Sequence, residues 1–581
     1  MRNFAEQSLD IAQHIGGSLI GQIGEDGRIR ELGADQPSEL LQPGPMAHAL
    51  AACVAAGKSN ENGGALLDGS ARCIAGQFLY HDRKECLAGC AHGALALMTL
   101  GLNRSRNEAW AKFPDAIRDR IGRWMRTKEN VPLHMRPYAI VRSVVASGMG
   151  FSNADESEKL IEDYFKELLA SPSGGFIDTA LGDEQRGRYD ASGLLQLLLL
   201  RETLQRHANV HVRERRMHDL RSCAVRYLRL LPHLLQGDGS SWTYGDPSGC
   251  LGTVCSCSAI VCALADGWIE PAQRESHLSL LGQLFRTFFF RHFDMESGNI
   301  ILPQTANGRD PWELSSVETA FAVVHQLAIW NQFARNMREP FQSNGATATS
   351  EGGRFTMFES GAKGDRGLML YGCGASGPSF QLPLVSPPQR NGSTGIAHSA
   401  AFPHFAEFSG GLSKFAKPPL LPVVTIGGKS YAPSFFGKNI STSLGASKCF
   451  QFRYEQPDVA ALDGEVSSGI LGCKVQWSFR HDEILGEFTY IPKKLERLER
   501  LDYLVPAYGP QNCGEKRTVR LVPKILHDDF QGEWKSGQSR DANGIEMLSY
   551  GRMLHMQLQP GSSYRFAVSL AIDRGSDCDG A

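Results

Sequence analysis

Apolar residues recur every three or four positions through the first 335 residues, in stretches such as Glu85–Leu100, Asp190–Gln205, Arg213–Leu231 and Ser315–Phe333. Loops rich in Gly, Asp, Ser and Pro separate them, so the spacing predicts helices. From about Gly345 the pattern shortens. Arg354–Phe358, Gly367–Tyr371, Lys448–Tyr454, Lys474–Arg480, Glu487–Ile491 and Tyr564–Leu570 are rich in β-branched and aromatic residues and bounded by Gly, Pro, Asp or Asn. These predict strands. The Pro340–Gly353 stretch between the two patterns is small, polar and aperiodic. The expected division is a helical domain over 1–340 and an antiparallel β domain over 350–581.

The helical part also repeats. A Gly followed closely by an apolar residue, a loop, then a helix dense in small residues appears as Gly27-Arg-Ile29 before Met46-Ala-His48-Ala-Leu, and as Gly69 before His81 and Cys86–Leu100. It returns at Gly175-Phe176 before Tyr189-Asp190, at Gly239 before Tyr244 and Cys250–Leu264, and at Gly298-Asn-Ile300 before Trp312 and Ser316–Leu327. Asn130–Tyr138 supplies the unit missing in the middle. About six helical hairpins can close into a ring with small-residue helices inside and charged helices outside, giving an (α/α) toroid followed by an antiparallel β-sandwich. Arg201–Arg229, with eight arginines, reads as an outer helix with a solvated face rather than an anion site.

Composition narrows the function classes. A chain of 581 residues exceeds the roughly 250–300 that one core sustains. With 60 Lys+Arg against 62 Asp+Glu, the net charge of -2 lacks the basic excess that nucleic acid or an anionic membrane surface demands of a partner. Glu6 and Asp10 interrupt the amino-terminal stretch where a signal peptide needs apolar residues, and no apolar run approaches the ~20 residues of a membrane span. A cytoplasmic location is expected, or a secreted one if a leader has been removed. Of the 14 cysteines, the Cys86/Cys90 and Cys255/Cys257 pairs lack zinc spacing and read as reduced core residues, so neither metal nor cofactor is expected.

In such a ring the loops that start the inner helices converge on one mouth. Those loop ends share residue types: Tyr80-His81-Asp82-Arg83-Lys84-Glu85, His134-Met-Arg136-Pro-Tyr138, Arg188-Tyr189-Asp190, Trp242-Thr-Tyr244-Gly-Asp246 and Arg309-Asp310-Pro-Trp312-Glu313. Taken singly, Asp82, Asp190 and Asp310 also fit ordinary helix N-caps, and Tyr189 the covered end of a core helix. Taken together, aromatics that stack on sugar rings and arginines that grip a carboxylate by two hydrogen bonds suit an acidic sugar polymer.

A helical toroid followed by an all-β domain resembles the polysaccharide lyases of the chondroitin AC lyase, alginate lyase and heparinase II/III-like group. Members often carry an Asp-Gly-Ser-aromatic loop, a catalytic His or Tyr soon after it, and a Gly-x-x-Gly-like turn. The matching residues are Asp238-Gly-Ser-Ser-Trp242-Thr-Tyr244 and Gly249-Cys-Leu-Gly252. Ser379-Phe-Gln-Leu-Pro through Ala401-Phe-Pro-His404-Phe405 looks like the start of such a lyase's sandwich, which in several members sends a His over the cleft; His404 or His398 fills that place. The group commonly neutralises the uronate with an Asn. None stands at the inner loop ends, where Asn130 is the nearest and Arg136 or Arg188 is the replacement.

The chemistry so implied is β-elimination from a uronic-acid glycan. Tyr189 and Tyr244 lead as base and acid, His134 and His81 follow, and Arg188 neutralises the carboxylate. Arg136, Tyr138, Trp242, Asp190, Asp246, Trp312 and His404 form the expected binding set, with an acidic oligosaccharide or polysaccharide as partner. A glycoside hydrolase or other sugar-processing enzyme on the same ring, using pairs among Asp82, Glu85, Asp190, Asp246, Asp310 and Glu313, is the alternative. A non-catalytic carbohydrate-binding protein is the third reading.

Overall fold

A computed structural model describes residues 4–30, 42–57, 63–81, 86–128, 130–170, 191–234, 249–293 and 325 of the helical part. In the strand part it describes 352–361, 364–372, 379–384, 402–403, 420–433, 437–445, 449–462, 469–506, 520–530, 533–540 and 546–573. The helices run in pairs. They are α1 (Phe4–Ile20) and α2 (Pro43–Ala56), α3 (Gly63–Tyr80) and α4 (Leu87–Leu100), a short α5 (Glu108–Lys112), then α6 (Asp115–Arg126) and α7 (Arg136–Gly148). They continue as α8 (Ala154–Ala170) and α9 (Ala191–Gln205), α10 (Val210–Leu234) and α11 (Gly249–Ala265), and α12 (Arg274–His292).

Helices α2 and α4 are buried nearly all round, as their Ala- and Gly-rich sequences dictate, whereas α6 and α8 bury one stripe each: Ile117, Ile121 and Trp124 in α6, Ile161, Tyr164, Phe165 and Leu168 in α8. The inner helices α2, α4, α7, α9 and α11 pack each on the next, and α1, α3, α6, α8, α10 and α12 lie against them from outside. The ring of His325, a helical residue beyond α12, lies 4.0 Å from that of His48 on α2, which returns the chain to the start of the ring. The architecture is an (α/α) toroid.

Small residues let the inner helices approach. A Cβ placed on Gly44 of α2 would stand 1.8 Å from the Gly89 carbonyl oxygen of α4, so the two backbones are in contact there. The same approach caps both helices. Gly44 N–H donates to Gln77 Oε1 at 2.9 Å and Gly89 N–H to Gln42 Oε1 at 3.0 Å, satisfying donors that a helix start leaves open. Gly27, in the loop before α2, has φ +79°, and a Cβ there would strike the Arg72 carbonyl at 1.9 Å.

The arginine-rich stretch divides between two helices instead of forming one. Asn209 caps α10 by accepting from the His211 and Val212 amides at 3.0 and 3.3 Å. Arg201 therefore belongs to the inner helix α9 and Arg206 to the turn that follows it. Arg201 is buried and grips Asp266 with two bonds of 2.6 and 2.7 Å. On the outer helix α10, Arg215 and Arg216 pair with Glu162 of α8.

The strands are β1 (Gly352–Gly361), β2 (Gly364–Gly372), β3 (Ser379–Leu384), β4 (Phe402–Pro403), β5 (Val423–Ile426), β6 (Lys429–Ala432), β7 (Lys438–Leu444) and β8 (Phe450–Gln456). After them come β9 (Ala460–Ala461), β10 (Leu471–Phe479), β11 (Glu483–Pro492), β12 (Glu496–Pro506), β13 (Arg520–Asp528), β14 (Lys535–Arg540), β15 (Glu546–Leu558) and β16 (Tyr564–Asp573). Two six-stranded sheets, ordered β13-β16-β11-β10-β8-β7 and β14-β15-β12-β5-β6-β9, enclose one core, and every described pairing is antiparallel. In β11 the side chains alternate strictly between half-buried and buried, and Phe488 stands opposite both Val475 and Phe566. Tyr503 of the facing sheet meets Phe566 at 5.5 Å between ring centres.

The third sheet, β1-β2-β3-β4, joins the two parts. Leu368 and Leu370 of β2 enter the helical core, while Met369 and Tyr371 enter the sandwich core. A strand with both faces covered is apolar at consecutive positions, and Leu368-Met-Leu-Tyr371 is. The stretch 340–350, where the division was expected, lies outside the described residues.

Candidate functional site in the toroid lumen

His48 and His92 are each the sixth residue of an inner helix, α2 and α4, whose other residues are almost all apolar. Glu202 sits in the last turn of α9 and Arg206 in the turn just after it, two inner helices further round the ring than α4. Their side chains meet between the inner helices. His48 Nε2 lies 3.0 Å from Glu202 Oε1, a contact that crosses the lumen, and His48 Nδ1 lies 3.1 Å from His92 Nδ1. His325 Nε2 stands 3.1 Å from Glu202 Oε2. Arg206 donates to Glu202 Oε1 at 2.5 Å and to Thr99 Oγ1 of α4 at 3.0 Å. His48, Glu202 and His325 are 1%, 7% and 9% exposed, so this cluster is sealed from bulk water, and half-buried His92 is its outer member.

Burial sets the charges. It pushes the His48 imidazole down to about 4 against the attraction of Glu202, and with repulsion from His48 it pushes His92 down to about 3. Burial alone would raise the Glu202 carboxyl, but its interactions with His48, the Arg206 guanidinium and His325 hold it well below the usual carboxylate range. With the carboxylate ionised and both imidazoles neutral, His48 Nε2–H donates to Glu202 and His48 Nδ1 accepts from His92 Nδ1–H. Among the described residues, His48, Glu202 and His325 are a group able to hold a metal, since one donor atom from each falls within 4.8 Å of the others.

Of the residues expected from sequence, Tyr138 reaches this cluster, its ring 6.2 Å from that of His92. Arg136 does not, because its guanidinium is held 2.6 Å from Glu167 on the outer helix α8. His81 ends the turn after α3, buried, its carbonyl accepting from Gln77 Nε2 at 2.9 Å and Cys90 Sγ at 3.2 Å. His134 lies in the 3₁₀ turn Leu133–Met135 directly before α7. Tyr189, Tyr244, Arg188, Asp190, Trp242, Asp246, Trp312 and His404 lie outside the described residues, as do Asp82–Glu85, Asp310, Glu313 and His398. Cys90, Cys255, Cys257 and Cys262 are buried thiols of the helical core.

Sequence reasoning missed the lumen cluster. The available signal was a lone His at the same place in two apolar helices, Met46-Ala-His48-Ala and Cys90-Ala-His92-Gly.

No protein-family model matches the chain, and no curated protein matches its sequence. Solved structures do resemble it. A xanthan lyase from Paenibacillus superposes with a TM-score of 0.53 at 10% identity, covering 99% of this chain and 58% of that one. The chondroitin AC lyase of Streptomyces coelicolor A3 in complex with chondroitin sulphate gives 0.51 at 9% identity, covering 99% and 80%. A heparan sulfate lyase from Pedobacter heparinus gives 0.42 at 8%, covering 99% and 84%. This chain thus spans little more than half of the xanthan lyase, and at these identities the likeness is one of fold: the toroid-plus-sandwich of polysaccharide lyases.

Proposed function

We propose that the protein is a polysaccharide or oligosaccharide lyase that cleaves a uronic-acid-containing glycan by β-elimination. The observation that carries the reading is the extent of the likeness: helical ring, joining sheet and sandwich together correspond over 99% of the chain to a chondroitin AC lyase and to a xanthan lyase.

The reaction removes the proton at C5 of the uronate, breaks the C4–O bond and leaves a C4=C5 double bond, the departing sugar oxygen taking a proton. The C5 proton is weakly acidic, so a cation must offset charge on the carboxylate as the enolate-like state forms. Arg188 is assigned that part. Tyr189 or Tyr244 takes the C5 proton and returns one to the leaving oxygen, a nearby cation lowering the phenol's pKa. His134 and His81 stand second in that role. Tyr138, Trp242, Trp312, Asp190, Asp246 and His404 line the path of the glycan; Arg136 joins them by exchanging Glu167 for a substrate carboxylate.

The test is incubation of the full chain with a panel of uronate-containing glycans, following absorbance of the conjugated product. Tyr244→Phe and Tyr189→Phe keep the ring and remove the proton carrier, so in one of them turnover falls by roughly 10²–10⁴ with folding intact. New reducing ends without new absorbance, lost in Asp190→Asn or Asp246→Asn and retained in both phenylalanine variants, would mean hydrolysis instead.

A further inference from the structure

We propose that His48, Glu202 and His325 form a divalent transition-metal site inside the toroid, with Zn²⁺ the ion it fits best. The site is independent of the lyase reading. It stands on three observations of the lumen.

The first is convergence. Three side chains from separate parts of the ring bring one donor atom each within 4.8 Å of the others, with Nε2–O separations of 3.0 and 3.1 Å on the two carboxylate oxygens and 4.0 Å between the two imidazole ring centres. Ligands at the usual zinc distances of about 2.0–2.2 Å in a tetrahedron are themselves about 3.4 Å apart, so small movements admit the ion.

The second is a buried carboxylate set between two imidazoles. Glu202 Oε2 is fully buried with His325 Nε2 3.1 Å away, and Oε1 faces His48 Nε2 at 3.0 Å. Two imidazole nitrogens placed on the two oxygens of one buried carboxylate are the donor types that Zn²⁺ takes.

The third is the surrounding shell. His92 supplies the outer partner. When His48 Nε2 binds the metal, its Nδ1–H turns to donate to His92 Nδ1 at 3.1 Å, the second hydrogen bond that orients most ligating histidines. Two histidines and a carboxylate leave a fourth position of a tetrahedral ion to another ligand.

One group opposes the ion. Arg206 occupies Glu202 Oε1 and adds a positive charge. It is anchored at its other end by Thr99, so Oε2 stays available while the repulsion lowers affinity. The site therefore favours Zn²⁺ over Mg²⁺ or Ca²⁺, which also want more oxygen ligands than this cluster has.

The full chain, stripped with a chelator and freed of any tag, is dialysed against Zn²⁺, Co²⁺ or Mg²⁺, and bound metal is measured per chain. The expected result is one Zn²⁺, no Mg²⁺, a raised melting midpoint, and Co²⁺ giving the strong visible bands of a four-coordinate imidazole–carboxylate site that Zn²⁺ abolishes. His92→Ala should weaken binding about 10–100-fold, the usual effect of losing an outer partner, and His48→Ala or His325→Ala by more. Glu202→Gln alone strands Arg206, so the folded control is Glu202→Gln with Arg206→Gln, which binds no metal, while Arg206→Gln alone binds tighter. Absence of stoichiometric Zn²⁺ in the unaltered chain, or binding undiminished in the His48→Ala/His325→Ala double variant, overturns the site.

Discussion

His48 and His92 carry an acid sensitivity that follows from where they sit. In the unfolded chain both take up a proton below about pH 6.5, whereas the fold keeps His48 neutral down to about 4 and His92 to about 3. The unfolded state therefore binds more protons in that window, and stability present above pH 6.5 is lost as the pH falls toward 4. Glu202, held ionised below its ordinary value, adds loss in the same direction at the acid end. The groups facing the pair are Glu202, Arg206 and His325, and the carboxylate does not overcome the burial of either ring. Two such histidines should lower unfolding free energy by roughly 2–3 kcal/mol between pH 7.5 and 5.5. Urea midpoints taken with a chelator present measure it. His92→Gln, which cannot titrate, should remove about half of that dependence, and an unchanged slope would show that His92 is not held neutral.

Helix α2 meets α4 through glycine, and the contact makes a sharp contrast between two substitutions. Gly44→Ala places a methyl 1.8 Å from the Gly89 oxygen, backbone that cannot rotate away, so the helices must part; the expected loss is about 1–3 kcal/mol or more. Gly64→Ala, in the first turn of α3 with nothing within 4 Å, should instead stabilise by about 0.4–1 kcal/mol through the unfolded chain. Melting midpoints of the two variants should move in opposite directions. The small-residue stretches of α2 and α4 were legible as inner helices because helix burial shows in composition and period. Their relative depth was not, since it is set by the Gly44–Gly89 approach, and that depth is what puts His48 beside His92. Glu202 is 154 residues from His48, and no local pattern pairs them. The division of the arginine run was legible after all: Asn209 is a good N-cap, and reading it as the start of α10 would have placed Arg201 and Glu202 on an inner helix with Arg206 in the turn at its end.

At the scale of the whole molecule, the strand β2 decides whether ring and sandwich unfold together. Its period of two sends Leu368 and Leu370 into the helical core and Met369 and Tyr371 into the sandwich core, while Arg354 of β1 donates to the Arg229 carbonyl of α10 at 3.2 Å. Few other described elements couple the parts so directly, so this seam carries much of their mutual stabilisation. Each buried Leu→Ala change removes about 2–5 kcal/mol from the contacts it makes. In Leu368→Ala/Leu370→Ala that loss falls on the helical side of the seam and leaves the sandwich core untouched. The calorimetric trace should therefore gain an earlier transition from the helical part, with the later one near its original temperature. Met369→Ala, one residue along the same strand, should lower the sandwich transition instead. A single cooperative transition displaced equally by both changes would mean that the joining sheet does not partition its two faces in this way.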